Sequence, residues 1–309
     1  MPPSRPSRMR VVALMNAGAG SQAPAQGTRA ALDRSFAEHG VDAELRFLSG
    51  AELKAAARDA LGLARRGEID AVVVGGGDGS VRTIAGVLAD TGVPLGILPL
   101  GTLNHFAKDV GIAVDLKTAV ETIAKGAVRV VDLAEVNGEI FINNSSIGIY
   151  PYLVIARERL RQRHRLAKWM AVVLAFFRML RHFPWRHLKI SIEGGAKPYR
   201  TPCVLVGNNE YAMELFALGR RKRLDRGELW LYVVQPRNSL QFFWTVCRLY
   251  FGKTNNTSDI DTFAAPEAEI AARSSRLPVA LDGEVEILHT PLCYRSRPGA
   301  LRVIVPASA

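Results

Sequence analysis

VVVGGGDGSVRT, residues 72–83, decides how the rest of the chain reads. An apolar run, Val72 to Val74, ends on three glycines, then an aspartate, a glycine and a serine. Glycine opens backbone angles closed to other residues and leaves room for a ligand against the main chain. The N–H groups of such a turn, with those opening the next helix, suit phosphate oxygens. Asp78 would repel a phosphate there unless a cation lies between, which points to Mg²⁺ accompanying a nucleotide. The plainer alternative is a tight turn with an aspartate helix cap. No Gly-Lys-Ser/Thr follows, so this is not a Walker loop, and the glycine spacing argues against a dinucleotide-binding dehydrogenase.

Around this stretch, strands alternate with helices. Arg10–Met15 reads as a buried strand leading into the glycine-rich NAGAGSQAP. Thr28–His39 has helical spacing, Ala43–Phe47 reads as a strand, and Ala51–Arg66 as a helix rich in Ala and Leu. Ala71–Val74 is the third strand, Val81–Asp90 a helix and Leu95–Leu98 a short fourth strand. Such alternation predicts a parallel sheet covered on both faces, with ligands bound beyond the carboxyl ends of its strands. Both glycine turns fall at such ends.

A second motif follows in LPLGTLNHFAKDVGI, residues 98–112. Gly101 permits close approach, Thr102 and Asn104 suit a helix cap or a ligand contact, and Lys108 lies one turn on. Near residue 130 the pattern changes. VRVVDLAEVNGEIFINNSSIG holds two strand-like runs around Asn137-Gly138, a strong hairpin signal. Further strands are expected at Leu188–Glu193, Pro202–Val206, Leu229–Val234, Val279–Leu281 and Leu301–Val305. A second, mostly antiparallel β domain is expected from them.

Composition narrows the function classes. The chain has 309 residues, 48% of them hydrophobic, and a formal net charge of +11. That excess favours an anionic partner, whether nucleotide phosphate, nucleic acid or an acidic membrane. No helix-turn-helix, RNA-binding aromatic motif or zinc module is visible, so no nucleic-acid role is assigned. Cys203, Cys247 and Cys293 are scattered and read as buried, reduced thiols of a cytosolic protein. The basic, Pro- and Ser-rich MPPSRPSRMR reads as a disordered tail. No apolar run of about 20 residues suggests a transmembrane helix. Two basic, apolar segments, 157–189 and 240–253, are expected to be helices. They either pack on the β domain or lie in an anionic membrane interface, Arg and Lys at the headgroups and Trp and Phe at the acyl boundary.

GGGDGS followed about twenty residues on by PLGTLNHFA resembles the catalytic domain shared by diacylglycerol kinases, sphingosine kinases and bacterial lipid kinases, and more distantly NAD kinases. The resemblance spans nearly the whole chain. NAGAG at 16–20 is similar to the first nucleotide loop of that family, LVGNNEY at 205–211 to an Asn-bearing strand end, RLDRGELWLY at 223–232 to an Asp-Gly loop, and LDGE at 281–284 to a late Asp-Gly-Glu motif. The fold it implies is α/β plus β. A Rossmann-like doubly wound domain, 8–129 and completed by 300–309, and an antiparallel β-sandwich domain, 130–299, flank a nucleotide cleft.

The same resemblance implies an ATP-dependent lipid kinase. Asn16, Ala17, Gly18, Ala19, Gly20, Ser49, Gly76, Gly77, Asp78, Gly79, Ser80 and Thr102 would hold ATP; Asp78 would organise Mg²⁺–ATP; Glu284 would be the general base that takes the proton of the lipid hydroxyl. Ala17 replaces a proline, Ser80 a threonine, Arg82-Thr83 an Asn-Glu pair and His105 an aspartate. Arg226 replaces the second aspartate of an accessory Mg²⁺ site, so no protein metal ligands are assigned. Diacylglycerol is the default acceptor, with sphingoid bases or phosphatidylglycerol as alternatives. The expected setting is the cytoplasm, at the inner face of the membrane, with a homodimer left open. A soluble-substrate kinase related to NAD kinase and a non-catalytic nucleotide-binding regulator are the competing readings.

Overall fold

The computed structural model describes residues 8–18, 26–149, 151, 183, 185–211, 221, 223–250 and 259–307. The N-terminal tail, Ala19, Gly20 and the expected helix over most of 157–189 lie outside them. Its last residues, from Arg186, are strand. The chain divides into two units, Met1–Leu133 with Pro298–Ala309, and Ala134–Arg297. The sequence pattern changes at residue 130; the chain crosses between the units inside the strand Ala127–Val136 and returns inside the strand Leu292–Val305.

In the first unit, β1 (Met9–Asn16), β2 (Val41–Leu48), β3 (Ala71–Gly76) and β4 (Leu95–Pro99) form a parallel sheet in the order β2-β1-β3-β4. The C-terminal strand joins beside β4, pairing Val303 with Leu95 in parallel. Every residue of β3 and β4 is buried, as expected of strands covered on both faces. α1 (Gln26–Glu38) packs with α5 (Leu116–Lys125), and α2 (Leu53–Arg65) with α3 (Asp78–Leu88). α4 (His105–Asp109) is a single short turn after β4. Because the strands are parallel, the segments after β1, β2, β3 and β4 all emerge at one edge. Gly75 and Gly76 belong to β3 itself, so the glycine turn is shorter than the sequence suggests.

The second unit is a sandwich of antiparallel pairs. β5 (Ala127–Val136) turns at Asn137-Gly138 into β6 (Glu139–Phe141). Asn137 and Gly138 both take positive φ, 50° and 84°, as the expected two-residue turn demands. One layer also holds β8 (Arg186–Ile192), β9 (Gly195–Thr201), β13 (Glu267–Ala272) and the first half of β16 (Leu292–Val305). The other holds β7 (Asn144–Gly148), β10 (Cys203–Asn208), β11 (Leu229–Val234), β12 (Ile260–Ala265), β14 (Arg276–Leu281) and β15 (Glu284–His289), ordered β12-β11-β10-β7-β14-β15. Leu188, Ile190, Ile270, Leu292 and Tyr294 of the first layer meet Ile147, Val204, Leu231, Val233 and Val279 of the second.

α6 (Ser239–Tyr250) confirms a helix in the second basic apolar segment. Among the described residues no helix is long and apolar enough to cross a membrane. The cysteines divide differently from expectation. Cys203 is buried, and burial pushes its thiol up to about 12. Cys293 is exposed because it alternates with the buried Leu292 and Tyr294 along β16.

Candidate functional site

In the first unit, hydrogen bonds stitch the loops at the carboxyl edge together. Asn16 ends β1; its Oδ1 accepts from the Gly18 N–H at 3.0 Å, and its Nδ2 donates to Ser80 Oγ at 2.8 Å. The Ala17 N–H donates to Leu48 O at 2.8 Å, which fixes the first loop to the end of β2. The Leu100 N–H donates to Gly76 O at 3.0 Å, joining the ends of β3 and β4. Asp78 completes the set. Its Oδ2 accepts from the His105 N–H at 3.1 Å and its Oδ1 from the Phe106 N–H at 3.0 Å. The carboxylate at the start of α3 therefore caps α4, 27 residues on in sequence.

This geometry changes several expectations. None of Gly75, Gly76, Gly77 or Gly101 takes positive φ; their missing side chains answer to packing. A Cβ on Gly75 would strike the Met15 side chain, and one on Gly76 would lie 2.5 Å from Ser80 Oγ. Gly77 and Gly101 press against each other. So the glycines bring two loops into contact before any ligand arrives. Asn104 occupies the N-cap position of α4, but its side chain makes no cap bond and does not reach outward. It is buried, takes φ 51°, and staples its own loop by accepting from the Gly101 N–H at 2.9 Å and donating to Gly101 O at 2.8 Å and Pro99 O at 3.1 Å. The left-handed region suits asparagine. Thr83 donates to Gly79 O at 2.9 Å, a bond within α3, and Arg82 is buried.

Ser49 is also otherwise engaged. Its N–H and hydroxyl donate to Glu52 Oε2 at 2.8 and 2.7 Å, bonds that hold the Glu52 carboxyl below the usual carboxylate range. They form the opening of α2. Neighbouring Gly50 comes closer to the stitched loops, where an added Cβ would lie 3.9 Å from Asn16 Nδ2. Thr102 is exposed on the loop surface, and Gly79 sits in the first turn of α3. Asn16, Ala17, Gly18, Gly76, Gly77, Asp78 and Ser80 thus share one bonded assembly. Ala19 and Gly20 lie outside the described residues.

Glu284 lies in the second unit, exposed, as the first residue of β15. Asp282 (φ 50°) and Gly283 (φ 91°) form the turn before it, closed by the Leu281–Glu284 pair. Asp282, quoted in the motif but given no role, fixes this turn. Its Oδ2 accepts from the Ile142 N–H at 2.8 Å, and its Oδ1 from the N–H groups of Asn143 at 2.7 Å and Asn144 at 3.1 Å. Beneath that segment lies Arg221, 5% exposed. Its Nη1 donates to Ile142 O at 2.7 Å and Asn208 O at 3.1 Å, and its Nη2 to Asn143 Oδ1 at 3.1 Å. Sequence reasoning missed Arg221, because nothing in a run of basic residues marks the one that folds inward. Asp225 pairs with Arg223 at 3.1 Å, and Arg226 Nη1 lies 3.8 Å from Glu210 Oε2.

The donor set suits a nucleotide triphosphate better than a resident metal. Backbone N–H groups and small side chains dominate the stitched loops. Among the described residues no group of three His, Cys, Asp or Glu is placed to hold an ion. A Mg²⁺ arriving on phosphates would need few protein ligands.

The chain matches the family model of the diacylglycerol kinase catalytic domain over residues 10–136, and that of the YegS C-terminal NAD kinase beta sandwich-like domain over residues 152–305. With both in tandem covering most of the chain, it belongs to the diacylglycerol kinase catalytic-domain family. It is 27% identical over 239 residues to the uncharacterized protein sll0036 of Synechocystis sp., covering 76% of this chain and 54% of that protein. It is 40% identical over 84 residues to a protein of Yersinia pestis named "Probable lipid kinase YegS-like", covering 26% of this chain and 28% of that one. The chain therefore spans about half of the first relative's length and little more than a quarter of the second's. A diacylglycerol kinase structure from Bacillus anthracis str. Sterne shares the fold, with a TM-score of 0.69, 23% identity and coverage of 98% of this chain and 99% of that one.

Proposed function

We propose that the protein is an ATP-dependent lipid kinase that phosphorylates a hydroxyl of a membrane lipid, with diacylglycerol the first candidate acceptor. The observation that carries this reading is the stitched edge of the first unit. Asn16 and Asp78 lock the loops after β1, β3 and β4 together around the start of α3, whose first N–H groups have no partner within the helix and suit a phosphate. Mg²⁺ bound with ATP would neutralise charge that develops on the phosphates.

In the second unit, Asp282 and the segment it holds fix the turn from which Glu284 projects. The acceptor hydroxyl oxygen attacks the γ-phosphorus while its proton passes to the Glu284 carboxylate. The bond from that phosphorus to the β–γ bridging oxygen breaks, and its electron pair leaves with ADP. Asp78 acts by holding α4 and the Gly101 loop in place. The partner is a lipid surface, and the setting the cytoplasmic face of a membrane.

Transfer of labelled γ-phosphate from Mg²⁺–ATP to lipids in mixed micelles tests the proposal. Diacylglycerol, a sphingoid base, phosphatidylglycerol and NAD serve as separate acceptors. A labelled lipid is expected, and labelled NADP would overturn the lipid acceptor. Glu284→Gln should lower transfer by about 10²–10⁴-fold while ATP binding persists; a near-normal rate removes Glu284 as the base.

A further inference from the structure

α6 has two unlike faces. Phe242 packs inward with Ile149, Cys203 and Val234. Thr245 Oγ1 donates to Asp259 Oδ2 at 3.1 Å, and Gln241 Nε2 to Asp259 Oδ1 at 2.9 Å, so the helix is pinned along this side. One helical turn apart on the outer side stand Leu240 and Trp244, 58% and 59% exposed. Phe243 lies edge-on to Trp244, ring centroids 6.4 Å apart. A pinned helix that turns a leucine and a tryptophan to solvent has a surface unsuited to water.

The inner side of the same helix connects through aromatic rings to a basic face. Phe242 meets Phe183 at 5.2 Å and Phe183 meets Trp185 at 5.1 Å between centroids. Over Trp185 lies the Arg200 guanidinium, 4.2 Å from the ring centre. Arg200 on β9 pairs with His187 on β8. His187 and Lys189 are exposed and alternate with the buried Leu188 and Ile190, so β8 and β9 turn His187, Lys189 and Arg200 away from the core. Arg237 is exposed just before the helix.

We propose that the outer side of α6, with the outer face of β8 and β9, is the surface by which the protein docks on an anionic lipid bilayer. Leu240 and Trp244 would enter the headgroup–acyl boundary, while Lys189, Arg200 and Arg237 meet lipid phosphates. Tryptophan beside cationic side chains is the composition such an interface favours. Charge complementarity selects this occupant, since exposed Arg237 precedes the helix, Lys189 and Arg200 stand on the face joined to it by Phe183 and Trp185, and the chain carries +11 overall. The inference rests on the lipid-kinase reading and adds where the membrane is met, on residues outside the loops and turn assigned to catalysis.

Sedimentation with vesicles of phosphatidylcholine alone, or mixed with phosphatidylglycerol, tests it on the full chain. Wild type should bind the mixed vesicles and lose binding as salt rises. Leu240→Ser/Trp244→Ser should weaken binding about tenfold or more. Lys189→Gln/Arg200→Gln should weaken it by about 25-fold at low salt, roughly fivefold for each charge. Transfer to a short-chain diacylglycerol dispersed in detergent should remain near wild type in both variants, which also reports that they fold. Variants that bind anionic vesicles like wild type while still phosphorylating that acceptor would overturn the docking surface and leave the kinase reading standing. Loss of transfer to every acceptor in the wild type, with vesicle binding still sensitive to these four residues, would do the reverse. A wild-type dimer that becomes monomeric on Leu240→Ser/Trp244→Ser, with vesicle binding unchanged, would assign the ridge to a second copy of the chain.

Discussion

A buried guanidinium holds together the part of the second unit from which Glu284 projects. Arg221 satisfies the carbonyls of Ile142 and Asn208 and the side chain of Asn143, while Asp282 takes the N–H groups of the same segment from the other side. Removing the donor leaves buried acceptors short of a partner, and each such loss costs about 1–3 kcal/mol. Arg221→Met should therefore lower unfolding stability in denaturant by about 2–3 kcal/mol. Arg221→Lys should recover less than half of it, because one ammonium cannot replace the planar fork. Stability unchanged in Arg221→Met would show that the network does not need it. Of these residues only Glu284 was assigned from sequence. Its neighbour Asp282 was visible in the same motif, but a turn aspartate looks alike whether or not it grips another loop.

Among the elements, the turn from β3 to α3 shows where sequence pattern and packing part ways. The three glycines were legible as a place of close approach, and the natural inference was a ligand. What approaches in the folded chain is Met15 at Gly75, Ser80 at Gly76 and Gly101 at Gly77. Gly76→Ala should thus destabilise the fold itself, by about 1–3 kcal/mol as overpacking does, measured by thermal unfolding without nucleotide. If the melting temperature holds and only ATP affinity falls, the ligand explanation returns. An unbroken apolar run made Leu229–Val234 readable to the residue, and Asn137-Gly138 made its hairpin plain. β9, with Pro198 in its middle, and β13, with Glu267 and Glu269, carry weak strand propensity. They exist because Tyr199, Ala268 and Ile270 reach the sandwich core.

Across the whole molecule, charge couples stability to pH. A net charge of +11 grows as carboxylates protonate, and self-repulsion grows with it. Asp70 adds a specific contribution. Burial works against its charge, but the Arg10 N–H at 2.7 Å and guanidinium at 3.3 Å outweigh that and hold its carboxyl below the usual range. A depressed folded value means the stabilisation is full above the unfolded value of about 3.9 and disappears as pH falls through the lower folded value. Asp70→Asn should be less stable than wild type at neutral pH, with the gap closing on acidification; a gap that stays constant down to pH ~2 would exclude the linkage. The sequence by itself determined the alternation of the first four strands with helices, the parallel first sheet, the mostly antiparallel second unit and the family, because hydrophobic period, turn residues and short motifs are local properties. Only the tertiary structure decided that Asp78 caps a helix 27 residues away, that Ser49 answers to Glu52, that Arg221 folds inward while Arg200 stacks on Trp185, and that Cys293 faces out. Those outcomes depend on which polar group finds a partner across the fold, and desolvation settles that only once distant segments have been brought together.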